Sequence, residues 1–252
     1  MSRLDGAFWS GQASRKLPCT GLFVNTYYNS VIHGHIAKAL SLLKASGKVL
    51  KTDLWNESVA TERNILGLFN ESFGVDISKT VCLKAHSQSK KTSVVQGDIC
   101  SLPYRDGCFS LILDLSTIDH ISLTDAYGVI SEYKRLLTNG GVLLLCYAQD
   151  MPFAPHYWSS QFEGVYLLNA AHLNKCVDSH FKTVFDCGID FLHSIMGIGP
   201  YRLVERFLWH CPNSFREDLL NVLLRFEASW LSRFLKSYSG LRLLICVKGE
   251  IL

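Results

Sequence analysis

Three short apolar stretches, each reaching an aspartate, recur along the first half of the chain at nearly equal intervals: residues 48–54 contain Asp53, residues 72–78 contain Asp76, and residues 93–99 contain Asp98. The aspartates lie 23 and 22 residues apart, about one strand, one helix and two turns, which is the spacing of parallel βαβ repetition. Three carboxylates at the ends of parallel strands share the edge where open α/β sheets bind ligands. Residues 109–115, with Asp114, read as a fourth strand. Residues 142–147 form an uninterrupted apolar run after Asn139-Gly140-Gly141 and suit a strand covered on both faces. Strands over 183–191 and 241–247 complete the series. The order predicts an α/β fold: a doubly wound, mostly parallel sheet with a helical insertion before its last strand.

The intervening text sets the helices. Tyr27, Tyr28, Val31, Ile32, Ile36, Ala39, Leu40, Leu42 and Leu43 recur largely at three- and four-residue steps, predicting a helix over 23–45 that stops at Gly47. Helices are also expected over 56–69, 79–91 (with a loop), 123–137 and 169–181. Residues 1–20 lack periodicity and read as an irregular arm. Ser214-Phe215-Arg216-Glu217 has the form of a capping box. It introduces a helical stretch with Leu220, Leu223, Leu224, Trp230, Leu231 and Phe234 on its apolar side, and Arg225, Glu227, Arg233 and Lys236 on its polar side. The expected organisation is an arm and helix over 1–46, a core over 47–192 and 241–252, and a helical insertion over 193–240 that serves as lid or interface.

Composition narrows the function classes. A formal charge of +3 over 252 residues argues against a nucleic-acid partner. The mixed polar face of the insertion argues against a membrane surface. No apolar stretch is long enough to span a bilayer and the start lacks a signal-peptide pattern, so a cytoplasmic protein is expected. Nine scattered cysteines without Cys-x-x-Cys read as reduced thiols. His33-Gly34-His35 places its imidazoles two residues apart, on different helix faces, so no metal site is expected.

The strand series with terminal acids, the Gly-Gly turn and the late strand pair resemble a class I S-adenosylmethionine-dependent methyltransferase, with recognisable motifs over about 47–150. Gly74-Val-Asp76-Ile-Ser resembles the ribose-binding motif. Val94-Val-Gln-Gly-Asp98-Ile-Cys-Ser-Leu102-Pro103 resembles the segment carrying the adenine-binding acid. The resemblance implies a Rossmann-like fold, S-adenosylmethionine as cofactor, and cofactor contacts at Asp53, Leu54, Trp55, Glu57, Asp76, Ile77, Asp98, Ile99, Asp114 and Leu115. The chemistry suits: a carboxylate at Asp76 can accept from two vicinal hydroxyls, Asp98 can accept from an adenine amino group between Ile77 and Ile99, and Asp53 can meet an ammonium.

One departure stands out. The family's glycine-rich turn after the first strand is replaced here by Asp53-Leu54-Trp55-Asn56-Glu57. The same lack of Gly-x-Gly-x-x-Gly argues against a nicotinamide dehydrogenase. After the fourth strand, Ser116-Thr117-Ile118-Asp119-His120 resembles the small-molecule branch of the family. A small-molecule, apolar acceptor is therefore expected, with His120 as catalytic base and Asp119 either orienting it or facing solvent. Tyr147, His156 and Tyr157, with Tyr27 and Tyr28 from the first helix, are assigned as walls of the substrate pocket. The insertion either covers the substrate or builds a homodimer interface. The alternative function is a catalytically inactive relative that acts through a protein partner.

Overall fold

In the computed structural model, which describes residues 5–14, 22–43, 47–61, 64–152, 165–166, 168–191 and 201–249, the acid-ended stretches become neighbouring strands of one sheet. The strands are β1 (Val49–Lys51), β2 (Ser72–Asp76), β3 (Ser93–Gln96), β4 (Phe109–Leu115), β5 (Leu137–Ala148), β6 (Lys182–Ile189) and β7 (Leu241–Val247). They lie in the order 3-2-1-4-5-7-6, with β7 antiparallel to both neighbours and the pairs from β3 through β5 parallel. The order reverses between β1 and β4, the switch point at which such sheets open a crevice.

Strand alternation divides the core between the two faces. On β5, Leu143, Leu145 and Tyr147 pack beneath α5 (Leu123–Leu136) and α6 (Ala170–Asp178), while Val142, Leu144, Cys146 and Ala148 pack beneath α2 (Leu22–Ser41). α5 begins where the Ser122 hydroxyl accepts from the Asp125 amide. α4 (Lys79–Gln88) begins in the same way at Ser78, directly after β2. The insertion contributes α7 (Tyr201–His210), α8 (Asn213–Ala228) and α9 (Trp230–Phe234). Among the described residues, no helix is long and apolar enough to cross a membrane, and no three side chains form a metal-ligating group. The eight described cysteines are free thiols.

Several expectations are corrected. The arm contains a helix, α1 (Gly6–Ser14), started by Asp5, whose Oδ1 accepts from the amides of Ala7 and Phe8. The helix expected over 56–69 shrinks to one turn, α3 (Trp55–Ser58), and a 3-10 turn at Leu66–Leu68. The cause is Glu57, whose Oε1 leaves the helix surface to accept from Ile65 and Leu66 amides at 3.1 and 3.2 Å. The capping box does not form: α8 starts at Asn213, with Pro212 in the cap position and Ser214 already helical. Trp230 and Phe234 are 70% and 74% exposed rather than buried with Leu220 and Leu223, because α9 is a separate helix with its own Ser229 cap. Glu227, expected on the polar face, is buried.

Candidate functional site

The carboxyl ends of β1, β2 and β3 bring Asp53, Asp76 and Asp98 to one edge, Asp76 as the last strand residue and the others two residues beyond theirs. The turn after β1 is built from charged side chains. Lys51, fully buried, donates from Nζ to the Asp53 carbonyl and to Asp53 Oδ2, both at 2.8 Å, and pairs with Glu57 Oε2 at 3.1 Å. Asp53 Oδ1 accepts from the Trp55 amide, and Asp76 Oδ2 accepts from the Leu54 amide at 3.0 Å. Asp76 Oδ1 accepts from the Ser78 amide at 2.8 Å. Burial pushes the Asp76 carboxyl up to about 6 despite these two amides. Gly74 is required here: a Cβ would stand 2.2 Å from Leu54 Cδ2, so the chain after β1 lies directly on the β2 backbone. Further along the edge, Asp98 Oδ1 accepts from the Cys100 amide, with Ile77 half-buried and Ile99 buried beside their acids.

The β4 and β5 ends carry a second group. Asp114 is wholly buried: Oδ2 accepts from Tyr133 Oη at 2.8 Å, and Oδ1 from the amides of Thr117 and Ile118. Burial pushes its carboxyl up to about 7. The two ends of the edge are tied together by Thr117, whose hydroxyl lies 3.1 Å from that of Thr52 and 3.5 Å from Asp53 Oδ2. Asp119 is also wholly buried. Its Oδ2 accepts from the Ser116 hydroxyl and the Ala148 amide at 2.6 and 2.7 Å, while Oδ1 has no hydrogen-bond partner among the described residues. His120 Nε2 stands 3.8 Å from that oxygen, an ion-pair distance but too long for a hydrogen bond.

α1 lies across this edge. Gly6 rests against β2's exit so closely that a Cβ would meet the Ile77 carbonyl oxygen at 2.5 Å. Ser10 and Ser78 hydroxyls are 2.8 Å apart, and Lys84 Nζ donates to the Ala13 carbonyl. The Trp9 ring packs edge-on against both Trp55 and His120, with centroids 6.2 and 4.6 Å away.

The structure thus gathers Asp53, Trp55, Asp76, Ile77, Asp98, Ile99 and His120 along one edge. It withdraws others. Leu54 is fully buried under Gly74, and Glu57 is turned inward to Lys51 and the 65–66 amides, so neither presents its side chain to the edge. Asp114 is occupied by Tyr133 and the turn after β4, and Leu115 packs into the core beneath α2. Tyr147 cannot share a pocket with Tyr27 and Tyr28: alternation along β5 sends it to the opposite face, where it is buried beside Asn174. Asp119 is buried and does not face solvent. His156 and Tyr157 lie outside the described residues. Reading the sequence missed Lys51, Trp9, Asp190 and the burial of Glu227. Two of these left a signal. Asp190 follows β6 as Asp53 follows β1, and Glu227 continues the 220-223-224 apolar stripe at helical spacing.

Comparison with known proteins agrees with this architecture. Residues 60–145 match the family model of the methyltransferase domain. No curated protein matches the chain in sequence. A putative sarcosine dimethylglycine methyltransferase from Galdieria sulphuraria superposes with a TM-score of 0.59 at 13% identity, covering 88% of this chain and 85% of that one. A geranyl diphosphate C-methyltransferase from Streptomyces coelicolor A3(2), solved with S-adenosyl-L-homocysteine, gives 0.57 at 11% identity over 86% and 78%. The cyclase SpnF gives 0.55 at 14% identity over 90% and 92%. At such identities the shared property is the fold.

Proposed function

We propose, for a chain that has the class I methyltransferase fold and carries a methyltransferase domain over residues 60–145, that it binds S-adenosylmethionine and transfers a methyl group to a small molecule. The observation that carries this reading is the row of Asp53, Asp76 and Asp98 at the ends of three neighbouring parallel strands. The fit is good for the nucleoside half: each Asp76 oxygen accepts one amide and keeps a lone pair for a ribose hydroxyl, and apolar Ile77 and Ile99 follow Asp76 and Asp98 off the paired strands β2 and β3. At the methionine half, Asp53 is the residue that would meet the ammonium, held in place by Lys51 and the Trp55 amide. When bound, the cofactor supplies an electrophilic methyl on a sulfonium sulfur. His120 takes the proton of an acceptor that carries one, with Asp119, anchored by Ser116 and Ala148, holding Oδ1 3.8 Å from its Nε2. α1 closes over the edge, and the Trp9 ring must leave His120 for an acceptor to reach it.

Calorimetry of the full chain with S-adenosylmethionine and S-adenosylhomocysteine tests this reading, with methyl transfer from deuterated donor followed by mass spectrometry of a metabolite extract. Binding of both and a labelled product are expected; folded protein that binds neither sinks the proposal. A second reading, a silent relative acting through a protein partner, is favoured by the turn after β1, where Leu54 and Glu57 face inward in place of bare glycine backbone. Cofactor binding without any labelled product, together with a stable hetero-complex, is its signature.

A further inference from the structure

The acceptor side of the edge holds buried acid that the cofactor side does not use. Asp119 Oδ2 bonds to the amide of Ala148, and Ala148 stands in one cross-strand row with Leu241 of β7 and Ile189 of β6. Asp190 is the next residue after Ile189, in the left-handed conformation at φ 59. Two strand spacings of about 4.8 Å separate the ends of that row, roughly 10 Å. Beside Asp190, Glu227 reaches down from α8: its Oε1 accepts from the Phe191 amide at 3.0 Å and from the hydroxyl of Tyr27 on α2. Glu227 is 3% exposed and Asp119 fully buried, yet among the described residues Glu227 Oε2 and Asp119 Oδ1 have no hydrogen-bond partner.

An ionised carboxylate only accepts, and a buried acceptor without a donor is costly. Neither acid has a Lys or Arg partner among the described residues. Among the described residues, the groups around Glu227 are Tyr27 from α2, Cys187 from β6, and Asp190 and the Phe191 amide just after it. The nearby cations Lys38 and Arg233 are placed instead over the Phe185 ring. Among the described residues, one oxygen at each end of that row is therefore without a donor, and neither acid is paired with a Lys or Arg cation.

We infer that the acceptor side of the edge binds a small molecule carrying an ammonium group, held by Glu227 Oε2 from α8, with Asp119 Oδ1 as the second acceptor beside His120. The inference rests on reading this edge as the acceptor side of a methyltransferase, and it names the substrate class: a cationic amine rather than a purely apolar metabolite. Burial and Asp190 push the Glu227 carboxyl up to about 7, so its charge is present above that pH and an ammonium ligand is released as pH falls through it.

The test is calorimetric titration of the full chain with n-hexylammonium, hexan-1-ol and hexanoate, with and without S-adenosylhomocysteine. Hexylammonium is expected to bind at least tenfold more tightly than the alcohol or the carboxylate, to weaken as pH is lowered from 8 to 6, and to weaken about tenfold or more in Glu227→Gln. Because Glu227 also ties α8 to α2, circular dichroism checks that variant, and the pH series on the unmodified protein stands without it. Equal binding of the alcohol, or an affinity indifferent to pH and to Glu227→Gln, overturns the inference; a Glu227–Asp190 pair that satisfies itself by sharing a proton gives that result. Binding of S-adenosylhomocysteine without hexylammonium overturns this inference alone. Binding of hexylammonium without S-adenosylhomocysteine overturns the cofactor reading and leaves the ammonium site standing.

Discussion

The two halves of the sheet edge treat buried acid in opposite ways. Around β1 and β2, every carboxylate is answered from within: Lys51 serves Asp53 and Glu57, and main-chain amides serve Glu57 and Asp76. Around β5 and β6, Asp119 and Glu227 each keep one buried oxygen that no hydrogen-bond donor, and no Lys or Arg of the kind that meets Glu57 Oε2, reaches among the described residues. The first half is finished by the fold, and its acids hold a turn in shape while leaving lone pairs for neutral hydroxyls. The second half is incomplete as a protein interior, so what completes it comes from outside. Lys51 stands beside Asp53 and Glu57, whereas among the described residues no Lys or Arg stands beside Asp119 or Glu227, although Asp186 on β6 is paired with Lys236 and Arg242.

The largest expected effect comes from removing the Lys51 ammonium. Lys51→Met removes the counter-charge from buried Glu57 and partly buried Asp53 and should cost roughly 3–5 kcal/mol of stability, read from urea unfolding; a loss below 1 kcal/mol would make the two halves alike. Next is a pH effect at the boundary between them. Burial pushes the Asp114 carboxyl up to about 7 in the folded chain, against about 3.9 when unfolded. The native state thus binds the extra proton between those values, and stability falls as pH rises from about 4 to 7. Asp114→Asn mimics the protonated acid and should remove a few kcal/mol of that slope, so that it exceeds the parent in stability at pH 8 and matches it near pH 4. His35, lowered to about 4 by burial, slopes the opposite way, so the comparison is between variant and parent at each pH. Identical profiles would show that Asp114 is ionised throughout.

Smaller effects concern ligand binding. Asp76→Asn should weaken S-adenosylmethionine by roughly 1.5–3 kcal/mol, the scale of hydrogen bonds to a charged group, measured by calorimetry; unchanged affinity removes Asp76 from the site. Trp9→Ala should speed cofactor association several-fold in stopped-flow fluorescence with little change in the urea midpoint, because it removes the contact with Trp55 and His120 that seats α1 on the edge. Equal rates would mean that α1 does not gate the cofactor half.

The legible parts of the molecule were those with a short-range cause. Periodicity and acid spacing located the strands, and Asp53, Asp76 and Asp98 meet on one edge because each lies at or just beyond the end of its own strand. The helix expected over 56–69 failed because a long-range demand overrode local pattern: Glu57 was needed at Ile65 and Leu66. Tyr147 was misplaced against Tyr27 because which face a strand residue takes depends on register with β4 and β7, which one sequence does not state.

The sequence by itself determined the alternating βαβ order, the acidic edge and the absence of a glycine-rich turn after β1, all properties of neighbours along the chain. Only the tertiary structure decided which acids are available there. Lys51 and Glu57, Thr117 and Asp53, and Glu227 with Tyr27 and Phe191 are brought together by the closing of the sheet and the packing of helices on it. Whether a carboxylate is neutralised or left wanting a donor is set by those distant partners, and no local pattern carries that information.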